Sequence, residues 1–416
     1  MKIRGFYGIR PKKEFADKIA SPPYDVVNTE EAKEYAKGNP LSYLHVVRAE
    51  IDLPPGTDLY SPEVYKKAGS NLQKLIKEGY LLKERKPCLY LYRLTMSGRK
   101  QTGLVATVSC EEYAKGKIKI HEKTLKAKED DRVNYILATN SHNEPVFFTF
   151  RTEKKIAFIF DELIKREQTY SFTTNDQFGI VDHEFWVIDD QESITNLQNL
   201  FDNVPAFYVA DGHHRSASAY RVWEKFKNEN PNHTGKEEYN YFLAVIFLHE
   251  QLYIYDYNRL VKDFNNLTIH EFLNKVSKNF YIKENYSFRK PQKVHQFGMY
   301  LDNKWYLLEA KEGSYDANDV LKRLDVSILQ ENLLSPVLGI DDPKNNPRIS
   351  FVGGVLGMDE LEKRINSGKY KVAFSMYPTN IEDVMNVADA GLTMPPKSTW
   401  FEPKLRSGII IHELSD

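Results

Sequence analysis

The stretch Phe207–Phe226, FYVADGHHRSASAYRVWEKF, decides how this chain is read. Four apolar residues, Phe207, Tyr208, Val209 and Ala210, spell a short strand. The pattern breaks at Asp211-Gly212, and from Ser216 to Phe226 the spacing of Ala, Tyr, Val, Trp and Phe predicts a helix packed on one face. Asp211, Gly212, His213, His214 and Arg215 occupy the break. A glycine turn that opens a helix offers backbone N–H groups with no intrahelical partner and the positive end of the helix dipole, so it suits an anion. Arg215 adds a planar fork of donors that matches phosphate oxygens. The plainer alternative is a strand–turn–helix whose histidines only cap and hydrogen-bond. Packing Asp, two His and Arg so closely weighs against it, because such groups cost free energy to bury without a role.

Composition frames the rest. At 416 residues the chain exceeds the usual size of a single core, so two or three domains are expected. The expected division is an N-terminal α+β region over 1–150, a core region with the DGHHR turn over 151–265 and a C-terminal α+β region over 266–416, with interleaving into one catalytic unit left open. A hydrophobic content of 41% suffices for folded cores. With 57 Lys and Arg against 58 Asp and Glu the net charge is −1, which argues against a general nucleic-acid coat. Cys88 and Cys110 form no metal-ligand pattern and read as reduced core residues. No signal-like apolar block opens the chain, and no run approaches the ~20 apolar residues needed to cross a membrane. A soluble cytoplasmic protein with no membrane partner is expected, its oligomeric state unread.

Strand-like and helix-like segments alternate, which indicates a mixed α+β or α/β fold. Asn28 or Thr29 caps a short helix over Thr29–Lys37, and Ser61–Glu78 is amphipathic. Leu89–Leu94 and Gln101–Cys110 predict a strand pair about Ser97-Gly98, and Tyr241–Leu248 with Gln251–Tyr255 predicts a hairpin. Helices are also expected over Ile269–Asn279, Val320–Leu334, Met358–Ser367 and Ile381–Ala390.

Three further clusters carry chemistry. In IKIHEKTLKAKEDDR, Ile118–Arg132, His121 and Glu122 end a strand ahead of a charged helix; Glu122 is a candidate general base, and Lys123, Lys126 and Lys128 could offset phosphate charge. Ser21–Asp25, SPPYD, is a loop stiffened by proline that would hold Pro23, Tyr24 and Asp25 at a rim. Met394–Gly408, MPPKSTWFEPKLRSG, brings Lys397 and Lys404 within a stiff tail that could equally be docked by Trp400 and Phe401. His213 and His214 are adjacent and point apart, which argues against joint chelation.

These blocks resemble the family known as domain of unknown function 1015. The match is carried by SPPYDVV (Ser21–Val27), HEKT and DDR (His121–Arg132), NEPVF (Asn143–Phe147), ADGHHRSASA (Ala210–Ala219), LDVSILQENLL (Leu324–Leu334) and the MPPKSTWFEPKLRSG tail, in order over nearly the whole chain. Ser216 departs from the pattern, where the family usually has an aromatic. Within the family the Gly-His-His-Arg turn is similar to the phosphate turn of the ParB and sulfiredoxin superfamily. The resemblance implies a ParB/sulfiredoxin-like nucleotide-binding core with α+β elaborations, and both groupings are associated with phosphorylation of free L-serine.

The resulting expectation is a kinase moving the γ-phosphoryl of ATP, with ADP as an alternative donor, to the hydroxyl of L-serine or a similar hydroxylated metabolite. Gly212, His213, His214 and Ser216 would give N–H donors to the phosphates, with Arg215 binding them bidentately and Lys397 and Lys404 closing over the transferred group. Glu122 would act as base with His121 orienting it, Arg132 would join the rim, and Asp211 or Asp131 would hold Mg²⁺. The alternatives are a non-catalytic nucleotide-binding or regulatory protein and a nucleotide hydrolase; nucleic-acid binding is not expected.

Overall fold

The computed structural model describes residues 1–177, 179–284, 287 and 289–415. The chain forms two compact units: residues 1–252 with 403–416, and residues 253–402. Positions 150 and 265, where the sequence suggested boundaries, lie inside these units.

The first unit is built on one mixed sheet. Its strands are β1 (Ile3–Arg4), β2 (Leu89–Met96), β3 (Arg99–Ser109), β4 (Ile118–Lys119), β5 (Val146–Phe150), β6 (Tyr170–Asp176), β7 (Gly179–Ile188), β8 (Phe207–Asp211) and β9 (Tyr241–Leu248). The order is β4-β8-β5-β9-β3-β2-β7-β6, with β1 paired to β3. Two pairings are parallel, β8 with β4 and β9 with β5, and the rest are antiparallel. β5 and β9 are near-continuous apolar runs, buried along almost their whole length, as strands covered on both faces must be. Leu89, Leu104, Phe148, Trp186 and Phe207 belong to the core on one side of this sheet.

Four helices bear on the site: α1 (Thr29–Ala36), α2 (Pro62–Lys77), α3 (Lys126–Thr139) and α4 (His213–Glu229). α1 starts in a capping box, with Asn28 accepting from the Glu31 N–H and Glu31 reaching back to the Asn28 N–H. α3 is fastened to α4 where the Ser218 hydroxyl donates to the Glu129 carbonyl at 3.1 Å and Arg221 pairs with Glu129 and Asp130. The tail closes the unit: Ser407 exchanges backbone hydrogen bonds with Ser21, Ile411 does so with Ile9, and His412–Glu413 pairs with Ser141–His142.

The second unit has an antiparallel sheet of β10 (Tyr257–Val261), β11 (Phe280–Glu284), β12 (Gln296–Leu301), β13 (Lys304–Ala310), β14 (Ile349–Gly353) and β15 (Val372–Ser375), in the order β11-β13-β12-β15-β10-β14. The helix Met358–Asn366 buries Leu361 and Ile365 against Leu260, Trp305 and Ala373.

The mixed α+β class agrees with the sequence reading. The expected hairpin about His249-Glu250 does not form: β9 pairs with β3 and β5, while Tyr253–Tyr255 pairs with Trp400–Glu402. The helix expected over Val320–Leu334 is shorter, an α turn over Asp325–Leu329 running into a π turn over Gln330–Leu334. Cys110 is the first residue of a helix, not part of a strand, and both cysteines are buried free thiols.

Candidate active site

The strand–turn–helix is present, but α4 begins at His213 and not at Ser216. Gly212 takes the N-cap position with φ +99°, a left-handed conformation that L side chains adopt only with strain. A Cβ there would also meet Arg215 Nε at 2.9 Å. Both histidines and Arg215 therefore stand in the first turn of the helix. One residue upstream, the β8–β5 register slips between Val209 and Asp211, so Ala210 is extra and the Asp211 side chain is re-aimed.

Asp211 is the electrostatic centre of the turn. Its Oδ2 lies 3.4 Å from Lys404 Nζ and 3.4 Å from Arg215 Nη2. Burial opposes its charge, but Lys404 and Arg215 outweigh that and hold the carboxyl below its ordinary range. Arg215 also donates through Nη1 to the Pro145 carbonyl. Burial lowers His213 well below the usual histidine range, with His121 adding to the effect, so the ring is neutral. His213 Nε2 accepts the His121 backbone N–H at 3.4 Å, which assigns the proton to Nδ1. That nitrogen faces Glu122 Oε2 at 3.8 Å. Burial likewise lowers His121 to about 4. His214 turns the other way, its Nε2 accepting the Leu125 N–H at 3.1 Å.

The rim is organised by Glu144, a residue that sequence reasoning did not assign to the site. Its Oε1 accepts the Tyr24 backbone N–H at 3.1 Å and the Ser407 hydroxyl at 2.8 Å, and its Oε2 lies 3.7 Å from Arg132 Nη1. One carboxylate thus joins the SPPYD loop, the tail and α3. Arg132 lies over two aromatic rings, its Cζ 3.9 Å from the Tyr24 centroid and 4.6 Å from that of Tyr135. Tyr24, Asp25, Asp131, Arg132 and His214 all line one cavity of about 440 Å³, together with Arg48 and Glu50. Pro23 is buried behind it, its carbonyl accepting the Val26 N–H at 3.3 Å. The only sequence signal for Glu144 was a lone carboxylate inside the apolar NEPVF block.

Other expected site residues are engaged within the protein. Ser216 is fully buried, and both its backbone N–H and its hydroxyl go to the Gly212 carbonyl, so neither is offered to a ligand. Lys397 belongs to the second unit, where its ammonium lies over the Tyr257 ring. Asp131 accepts the Tyr65 hydroxyl at 2.9 Å and pairs with Arg132 at 2.7 Å, whereas Asp211 is held by Lys404 and Arg215. Among the described residues no group of three or more His, Cys, Asp or Glu side chains is arranged to hold a metal ion. Either carboxylate, Asp211 or Asp131, would have to exchange these partners to hold Mg²⁺.

A mixed α+β protein with an anion-suited turn facing a histidine pair defines the class. The family described as "Protein of unknown function (DUF1015)" matches residues 3–327, and the chain belongs to it. No curated protein sequence matches the chain. Solved structures similar to it include a free serine kinase in complex with AMP, at 11% identity and TM-score 0.38, covering 75% of this chain and 91% of that one. A conserved hypothetical protein from Pyrococcus furiosus is 12% identical with TM-score 0.35, covering 74% and 94% of the two chains. SbnI with a C-terminal truncation, from Staphylococcus aureus, is 12% identical with TM-score 0.36, covering 73% and 85%. No helix among the described residues is long and apolar enough to cross a membrane.

Proposed function

We propose that the protein is a small-molecule kinase that transfers the γ-phosphoryl of ATP to the hydroxyl of free L-serine, giving O-phosphoserine and ADP. The observation that carries this reading is that His214 belongs both to the first turn of α4 and to the wall of the 440 Å³ cavity, so a phosphate held at the turn would adjoin a small molecule in the cavity. Choosing serine as acceptor and an adenine nucleotide as donor rests on the family resemblance.

Phosphoryl transfer asks for positioning, charge neutralisation and a base near the acceptor. The N–H groups of the first turn of α4 would cradle the nucleotide phosphates. Arg215 and Lys404 supply positive charge. Their 3.4 Å separations from Asp211 exceed the roughly 2.7–2.9 Å of a tight charged hydrogen bond, so phosphate oxygens can compete for both. Glu122 would accept the proton of the attacking hydroxyl as its oxygen bonds to the γ-phosphorus and the bond to the β–γ bridging oxygen breaks. The neutral His213, with Nδ1–H towards Glu122, would hold that carboxylate in place. Magnesium that travels with a nucleotide needs only one or two protein carboxylates. Tyr24, Asp25 and Arg132 would form the acceptor rim.

The test is to incubate the protein with L-serine, magnesium and either ATP or ADP, with other free amino acids as controls, and to analyse products by mass spectrometry. Phosphoserine formation dependent on protein and nucleotide supports the reading. Nucleotide binding without any phosphorylated amino acid, or release of inorganic phosphate alone, contradicts it.

A further inference from the structure

Behind the rim lies a smaller cavity of about 30 Å³, whose walls include Arg132, Tyr135, His142, Glu144 and Arg215. Arg132 and Tyr135 also line the 440 Å³ cavity, so these two side chains partition one space from the other. Three side-chain atoms among these wall residues are buried and have no hydrogen-bond partner: Arg132 Nη1, Tyr135 Oη and His142 Nε2. Such atoms normally find partners, because leaving one unsatisfied costs about 1–3 kcal/mol.

The proton positions follow from the neighbours of His142. Its Nδ1 is 3.3 Å from His412 Nδ1, and His412 Nε2 is 2.9 Å from Glu238 Oε2. Burial works against the Glu238 charge, but the His412 hydrogen bond and Arg4 outweigh it and keep the carboxylate ionised. A carboxylate only accepts, so His412 carries its proton on Nε2. Burial lowers both histidines, which are neutral, leaving His412 Nδ1 as an acceptor. His142 Nδ1 must then donate to it, and His142 Nε2 is a bare acceptor on the cavity wall. The cavity is therefore lined by two donors, Arg132 and Tyr135, and by two acceptors, His142 Nε2 and the Glu144 carboxylate. These four groups are the complement of one water, and the 30 Å³ cavity exceeds the roughly 10–15 Å³ that a water centre needs.

We propose that this cavity is a specific site for one ordered water, accepting from Arg132 and Tyr135 and donating to His142 and Glu144. Through that water the Glu238–His412–His142 chain fixes the Arg132 guanidinium at the substrate cavity, which makes His142 a positioning residue. The positioning role rests on the kinase reading of the rim; the water site does not.

A high-resolution crystal structure is expected to show one density peak within hydrogen-bond distance of Arg132 Nη1, Tyr135 Oη and His142 Nε2. A dry cavity, or Arg132 Nη1 bonded directly to Glu144, overturns the site. In ¹⁵N spectra His142 should be protonated at Nδ1 only, and the opposite tautomer overturns the proton chain. Tyr135→Phe removes a single hydroxyl, and His142→Phe removes the acceptor. Each should raise the acceptor KM about five- to tenfold with kcat and nucleotide affinity held, and His142→Gln, which keeps an acceptor, should recover most of the loss. An equal loss in all three parameters overturns the positioning role. If the protein transfers no phosphoryl group, the density and the tautomer still decide the water site independently.

Discussion

His121 and His213 meet edge to face at the glycine turn, with ring centroids 4.5 Å apart and planes at 89°. Each is buried, so each loses the solvation that would support its protonated form.

A pH dependence follows for stability. The folded pKa of His121 is about 4 against an ordinary 6.5, so the unfolded chain binds the extra proton first. The stability from this group is complete above pH 6.5 and is lost as pH falls through its folded value. By linkage its share is about 3 kcal/mol, and His142, His183 and His213 shift in the same direction through burial. Urea midpoints measured across this range should fall with acidification, and His121→Asn should flatten the slope. A midpoint independent of pH would show that these rings are not buried neutral.

Gly212→Ala should destabilise the protein by about 1–2 kcal/mol from the left-handed backbone alone. It should also weaken nucleotide binding, since the new Cβ displaces Arg215. Thermal melting with and without nucleotide measures both effects. An alanine variant that keeps full stability and full ligand shift would contradict the geometry of the turn.

Arg215→Ala leaves Asp211 with Lys404 alone and the Pro145 carbonyl without its guanidinium, at a cost of roughly 1–3 kcal/mol. Nucleotide affinity should drop by at least about tenfold, which calorimetric titration reads directly. Arg215→Lys keeps the charge but not the planar fork, so it should restore less than half of the lost binding free energy.

The strand–turn–helix was legible in the sequence because its periodicity changes abruptly from strand to helix at a glycine flanked by chemistry. The start of α4 was misread by three residues, since the histidines lack the apolar spacing by which a helix is recognised. Glu144 was invisible as a hub because its partners, Tyr24, Arg132 and Ser407, come from three distant segments that only the fold brings together. The false hairpin has the same origin: Tyr253–Tyr255 finds its partner at Trp400–Glu402, and local pattern carries no record of so distant a pairing.

The central claim concerns Glu122 beside His213, and label transfer tests it most directly. Wild-type protein and Glu122→Gln would be incubated with γ-labelled ATP and L-serine, with nucleotide affinity measured in parallel. The account predicts label on the serine hydroxyl with the wild type, and with the variant a loss of about 10²–10⁴-fold at nearly unchanged nucleotide affinity. Serine labelled equally well by both proteins would remove Glu122 as base, and label found only in inorganic phosphate would contradict the kinase itself.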